Sequence, residues 1–170
     1  RLIVTCCKID GTGLPFTNTA LTGASLISRT YYEAFDDIVG VSTTSQSIAN
    51  YIAYLRGNTA YELTNGGPYR TRSHRLGDIV NAKLTAVGAP DSSYYEIYNP
   101  GYKAFKTTYA SRPTVVYAGA NDGMLHAFDG TVPSTSSTTC TSTLGTPTTA
   151  CGKELFAYVP SFAYGTATTA

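Results

Sequence analysis

The chain has no tryptophan, one methionine and two histidines among its 170 residues. With His74 and His126 as the whole supply, a His-built metal centre or a catalytic triad has little material. Charge is sparse too: 14% of residues are charged, where a soluble domain ordinarily carries about a quarter. The net charge of +1 supplies no field for nucleic acid or an anionic membrane surface. No apolar run approaches the roughly 18 residues of a transmembrane helix, so no membrane span is expected. Leu2-Ile3-Val4 is too short for the apolar core of a signal peptide. A GxSxG nucleophile elbow is missing. Gly11-Thr12-Gly13 runs into Leu14-Pro15, which fits neither a Walker loop nor a dinucleotide fingerprint. Asp10 and the pair Asp36-Asp37 read as solvated turns rather than a cation site.

What is present is 42% hydrophobic residues and 14 tyrosines, with Thr and Ser filling the loops. That excludes a disordered chain and suits an extracellular β-protein. The length allows one domain with a core. An Arg at position 1 predicts a processed product or a fragment of a longer chain. The four cysteines are Cys6, Cys7, Cys140 and Cys151. Their even number, without a CxxC pair or Cys/His ligand spacing, favours disulfides over zinc and points to an oxidising compartment. Cys140 and Cys151 flank a Thr-rich loop whose closure is the favoured pairing. Cys6 and Cys7 are adjacent; a vicinal disulfide, bonds to the other cysteines and a bond between chains all remain open.

Along the chain, RLIVTCCKI at 1–9 is β-like, and 10–45 is irregular. Residues 46–56 place Ile48, Tyr51, Ile52 and Leu55 at helical spacing, with Gly57 as the C-cap. Arg70, Arg72, His74 and Arg75 form a small basic cluster, read as a solvated linker. A strand is expected over 78–88, with Val80, Ala82, Leu84 and Ala86 on its apolar face. A short helix is expected over 101–110, carrying Tyr102, Phe105 and Tyr109 on one side. Further strands are expected at 114–120, 123–129 and 153–159. The turn between the first two is Asn121-Asp122-Gly123, residue types that accept the backbone angles of tight hairpins. The Thr/Ser-rich stretch at 130–151 reads as a surface loop and a candidate for O-glycosylation. The expected fold is mainly β with one or two short helices. It comprises an irregular N-terminal region at 1–57, then about one four-stranded antiparallel propeller-type blade within 58–170.

The run VVYAGANDGMLHAFDG at 115–130, followed by GKELFAYVPS at 152–161, resembles the first propeller blade of the type IV pilus biogenesis and tip-adhesin family, the PilY/PilC proteins. The likeness begins at YIAYLRG (51–57) and continues through LGDIVN (76–81) and VGAP (87–90); it does not extend to residues 1–45. After Asn81 the chain reads AKLTAVGAP where the family usually has a Ser-Pro-Val-Tyr-like stretch. The resemblance implies a cell-surface, extracellular or pilus-associated protein that promotes pilus assembly or acts at the pilus tip in adhesion. Its implied partners are pilus or minor pilin subunits, with a host or surface ligand unknown. The family's calcium loop belongs to later blades, so no cofactor is expected in this chain.

Blades of the GANDG type also occur in quinoprotein dehydrogenases, which carry a vicinal disulfide near the quinone. Here Cys6-Cys7 precedes the blade and the tryptophans of that fold are missing, so an enzyme is not expected. A lone blade leaves two faces and two edges to cover. The alternative function is therefore a self-assembling subunit of an extracellular fibre, built on copies of itself. In it Leu2, Ile3 and Val4 are the candidate segment for adding a strand to a neighbour's sheet.

Overall fold

A computed structural model describes residues 1–6, 12–23, 45–131 and 151–160. Its strands are β1 (Ile3–Thr5), β2 (Leu14–Pro15), β3 (Thr85–Val87), β4 (Val115–Gly119), β5 (Leu125–Asp129) and β6 (Glu154–Val159). Its helices are α1 (Asn18–Gly23), α2 (Ser45–Leu55) and α3 (Tyr102–Thr108), with a single 3-10 turn at Leu63–Asn65. The strands form one mixed sheet in the order β2-β1-β6-β5-β4-β3. Strands β3 to β6 are thus neighbours in chain order, the arrangement of a propeller blade, and the fold is mainly β with short helices as the sequence implies.

The N-terminal segment extends this sheet. β1 pairs parallel with β6, Ile3 opposite Ala157, and antiparallel with β2, Val4 opposite Pro15. In the fibre alternative, Leu2, Ile3 and Val4 reach a neighbouring chain. Instead they form or adjoin an interior strand whose two edges are already taken, and the carbonyl of Leu2 accepts the Ala157 N–H at 2.9 Å. The physical reason is burial: Ile3 and Thr5 point inward and are fully covered.

The chain divides into two compact units. The first takes residues 1–82, 119–126 and 156–170, the second 83–118 and 127–155. In the first unit Ile3, Leu14, Phe16, Leu21, Ile52, Met124, Ala157 and Val159 make the core, with Ala20, Tyr51 and Leu55 packed against it. Helix α2 contributes Ile52 and Leu55 at the expected spacing. It ends because Gly57 adopts a φ of +99°, which a side chain disfavours. The Gly57 N–H then reaches the Tyr54 carbonyl at 2.8 Å and that of Asn58 reaches Ala53 at 3.0 Å, closing the helix end.

In the second unit the strand expected over 78–88 is confined to β3, paired antiparallel with β4 with Ala86 opposite Val116. Asn81 breaks it with a φ of +58°, a left-handed conformation that no ladder accepts. The apolar face expected there does not form: Val80 is 58% and Leu84 59% exposed. Glu96 organises the helix that follows. Its two carboxylate oxygens accept the N–H groups of Gly101 (2.6 Å) and Lys103 (2.8 Å) at the start of α3, where a helix has N–H groups without intrahelical partners. Those bonds hold the Glu96 carboxyl below its ordinary pKa. Tyr102, Phe105 and Tyr109 lie ring to ring along α3, as expected, at 6.0 and 4.8 Å. Between β5 and β6 the chain returns through Asp129 N–H to Lys153 (2.9 Å) and Gly152 N–H to Asp129 (3.0 Å).

Candidate functional site at the hairpin turn

The β4–β5 hairpin turns where the sequence places it. Ala120 N–H donates to the Met124 carbonyl at 3.0 Å, Gly123 N–H donates to Ala120 at 3.1 Å, and Gly123 has a φ of +79°. Asp122 does more than turn the chain. One oxygen accepts the Met124 N–H (3.1 Å), and the other accepts the N–H of Gly77 (3.1 Å), 45 residues earlier. Next to it the Asn121 N–H donates to the Asp78 carbonyl at 3.0 Å. A Cβ on Gly77 would lie 2.6 Å from the Asp122 nitrogen, so only glycine permits this approach.

Asp122 also meets His126, four residues on and fully buried. Nε2 of the ring stands 3.0 and 3.1 Å from the two carboxylate oxygens. Nδ1 stands 3.3 Å from Nη2 of Arg1, whose Nη1 donates to the Arg75 carbonyl at 3.2 Å. A guanidinium has donors only, so Nδ1 accepts and Nε2 carries the proton given to Asp122. Burial pushes the Asp122 carboxyl up, but His126 and the N–H groups of Gly77 and Met124 together outweigh it and hold the carboxyl below its ordinary value. His126 is buried and engaged at both nitrogens, which is the geometry of a positioning group.

The basic cluster at 70–75 separates into an inner and an outer part. Arg72 is drawn inward: Nε meets Oε1 of Glu62 at 2.9 Å, Nη1 donates to the Tyr54 carbonyl at 2.9 Å, and Nη2 to the Asn58 carbonyl at 3.2 Å. Its guanidinium carbon sits 3.7 Å from the centre of the Tyr54 ring, a cation–π stacking distance. Glu62 is buried; desolvation pushes its carboxyl up, and the bonds and charge of Arg72 bring it below its ordinary value. Arg70, His74 and Arg75 remain exposed. With Tyr54, Asn121 and Asp122 they line a polar recess of about 400 Å³ beside the turn. Such a recess offers hydrogen-bond donors and charges of both signs. Among the described residues no group of three or more His, Cys, Asp or Glu is placed to hold a metal ion.

Of the residues singled out in the sequence, Asn121, Asp122 and Gly123 form the turn. Cys6 and Cys151 each take part in a disulfide bond. Cys7 and Cys140 lie outside the described residues, as do Asp10, Asp36, Asp37 and the loop at 132–150. Arg1, Gly77 and Glu62 were missed. Gly77 stands among residues quoted for the family likeness, but nothing local marks it as a docking point for a distant carboxylate. Glu62 is a lone acid in a turn-rich stretch, and only the fold shows that Arg72 comes to it.

Residues 76–146 match the family profile described as the PilY1 beta-propeller domain. This interval opens beside Gly77 and contains the whole pinned hairpin. Over these residues the chain belongs to the PilY1 family. A type IV pilus biogenesis factor PilY1 homolog of Xylella fastidiosa (strain Temecula1) is 39% identical over 126 residues, covering 72% of this chain and 9% of that protein. The type IV pilus biogenesis factor PilY1 of Pseudomonas aeruginosa (strain PAK) is 34% identical over 114 residues, covering 65% of this chain and 8% of that protein. A second PilY1 homolog of the same Xylella strain is 30% identical over 136 residues, covering 74% and 8%. The chain therefore spans under a tenth of the length of these relatives. No solved structure matches it. No helix among the described residues is long and apolar enough to cross a membrane.

Proposed function

We propose that this chain serves the type IV pilus system as a non-catalytic piece of a propeller domain, acting in pilus assembly or tip adhesion. The match of residues 76–146 to the PilY1 propeller family carries this reading, since those residues hold the turn that Asp122 and Gly77 build. The relatives are named as pilus biogenesis factors, which supports a role in the pilus system. Its partners in this reading are pilus or minor pilin subunits, and its place is outside the cell, on the surface or on the pilus. Disulfide-bonded Cys6 and Cys151 support an oxidising location. The chain itself needs no cofactor for this role. The test is fractionation: pili are sheared from cells that make the protein and probed with an antibody to it. Recovery in the sheared pilus fraction supports the reading; retention in the cytoplasm of intact cells overturns it.

A further inference from the structure

We infer that His126 is a protonation-sensitive clasp that fastens the Arg1 end of the chain to the β4–β5 hairpin. The ring is fully buried and lies between one cation and one anion: Nδ1 at 3.3 Å from Arg1 and Nε2 at 3.0 Å from Asp122. The two sides respond differently to a proton. Nε2 already carries one, and its bond to Asp122 gains charge when the ring becomes an imidazolium. Nδ1 is an acceptor only while the ring is neutral. Protonation makes it a donor facing another donor, and places two cations side by side. Arg1 must then leave while Asp122 stays.

The charged groups around the ring, among the described residues, come from three places. Arg1 precedes β1 and Asp122 lies in the turn. Arg56, just past α2, reaches the same corner through the Arg1 carbonyl at 3.3 Å. Arg75 offers Arg1 its carbonyl, so the released guanidinium has a second acceptor close by and the motion is local. The strand next to it registers the change, because the Ala157 N–H donates to the Leu2 carbonyl one residue beyond Arg1. Acid thus loosens the outer end of the β1–β6 pairing without breaking the hairpin. A clasp of this kind makes the N-terminal strand the acid-responsive element of the sheet.

The test follows ring nitrogen shifts of His126 by NMR together with hydrogen-exchange protection of the Ala157 amide, corrected for intrinsic rates, in the intact chain. As His126 titrates, protection of Ala157 should fall by about tenfold, the effect of losing one charge-assisted bond. The variant His126→Gln keeps one acceptor and one donor but does not titrate, so its protection should be flat across the same range. Arg1→Leu should be low and flat, and it serves even where the Gln variant fails to fold. The inference is overturned if Ala157 protection is unchanged while His126 titrates. It is equally overturned if Arg1→Leu keeps the wild-type pH dependence, or if the ring stays neutral to about pH 4, well below the ordinary imidazole range.

Discussion

The N–H of Gly77 and the carboxylate of Asp122 meet at 3.1 Å across 45 residues of chain. That bond ties the segment before β3 to the tip of the β4–β5 hairpin, and the lack of a side chain at Gly77 is what allows it. Gly77→Ala puts a methyl 2.6 Å from a backbone nitrogen. It should cost on the order of 1–3 kcal/mol, the usual penalty for overpacking. Gly119→Ala serves as the control, since nothing lies within 4 Å of a Cβ there. Denaturant unfolding of the two variants side by side checks this; equal stability would show that the approach of the two segments is loose.

Asp122 gives the fold an acid limit. Its folded pKa lies below its ordinary value, so the folded state binds its proton less readily than the unfolded chain. Its contribution is then full above the ordinary carboxylate pKa of about 3.9. It is lost as pH falls from there through the lower folded value. Glu62 and Glu96 are shifted in the same direction, so the wild-type profile sums several groups. The difference between wild type and Asp122→Asn isolates one of them. Below the range in which His126 titrates, the gap in unfolding free energy should narrow as pH falls under about 4. A gap that widens as pH falls below about 4 would contradict the sign.

β1 should behave as core and not as an adhesive edge. Ile3 is fully buried while Leu2 is 58% exposed. Ile3→Ala should cost about 2–5 kcal/mol, as large-to-small changes in a core do. Leu2→Ala should stay within about 0.5 kcal/mol, as surface changes do. Sedimentation at several concentrations should show both variants in the same association state as wild type. A change in that state on altering Leu2 would restore the strand-addition reading.

The disulfide pairing is a chemical prediction. Cys140 is expected to bond Cys151 across the Thr-rich stretch. Peptide mapping without reduction should yield one fragment joining those two cysteines. A fragment joining Cys151 to Cys6 or Cys7 would refute it.

Legibility in the sequence followed the range of the interaction. The turn at Asn121-Asp122-Gly123, the end of α2 at Gly57 and the ring stripe on α3 are set by neighbours within a turn or two, and local residue types announce them. The strand at 78–88 was overstated because alternation was visible while the left-handed Asn81 was not. What the sequence hid is what depends on distant partners. Arg72 looked like a solvated charge until Glu62 and the Tyr54 ring closed on it. The parallel pairing of β1 with β6 joins the two ends of the chain, and no periodicity encodes a partner more than 150 residues away. The role of Arg1 follows from that pairing and was hidden with it.

In the proposed role this chain works in the type IV pilus system through the propeller segment pinned at Gly77 and Asp122. Surface pili counted by electron microscopy in a deletion strain test it most directly, with the wild-type gene and a Gly77→Val version each restored at equal protein level. The account predicts that deletion lowers the count, wild type restores it and Gly77→Val does not. An undiminished pilus count in the deletion strain would contradict it.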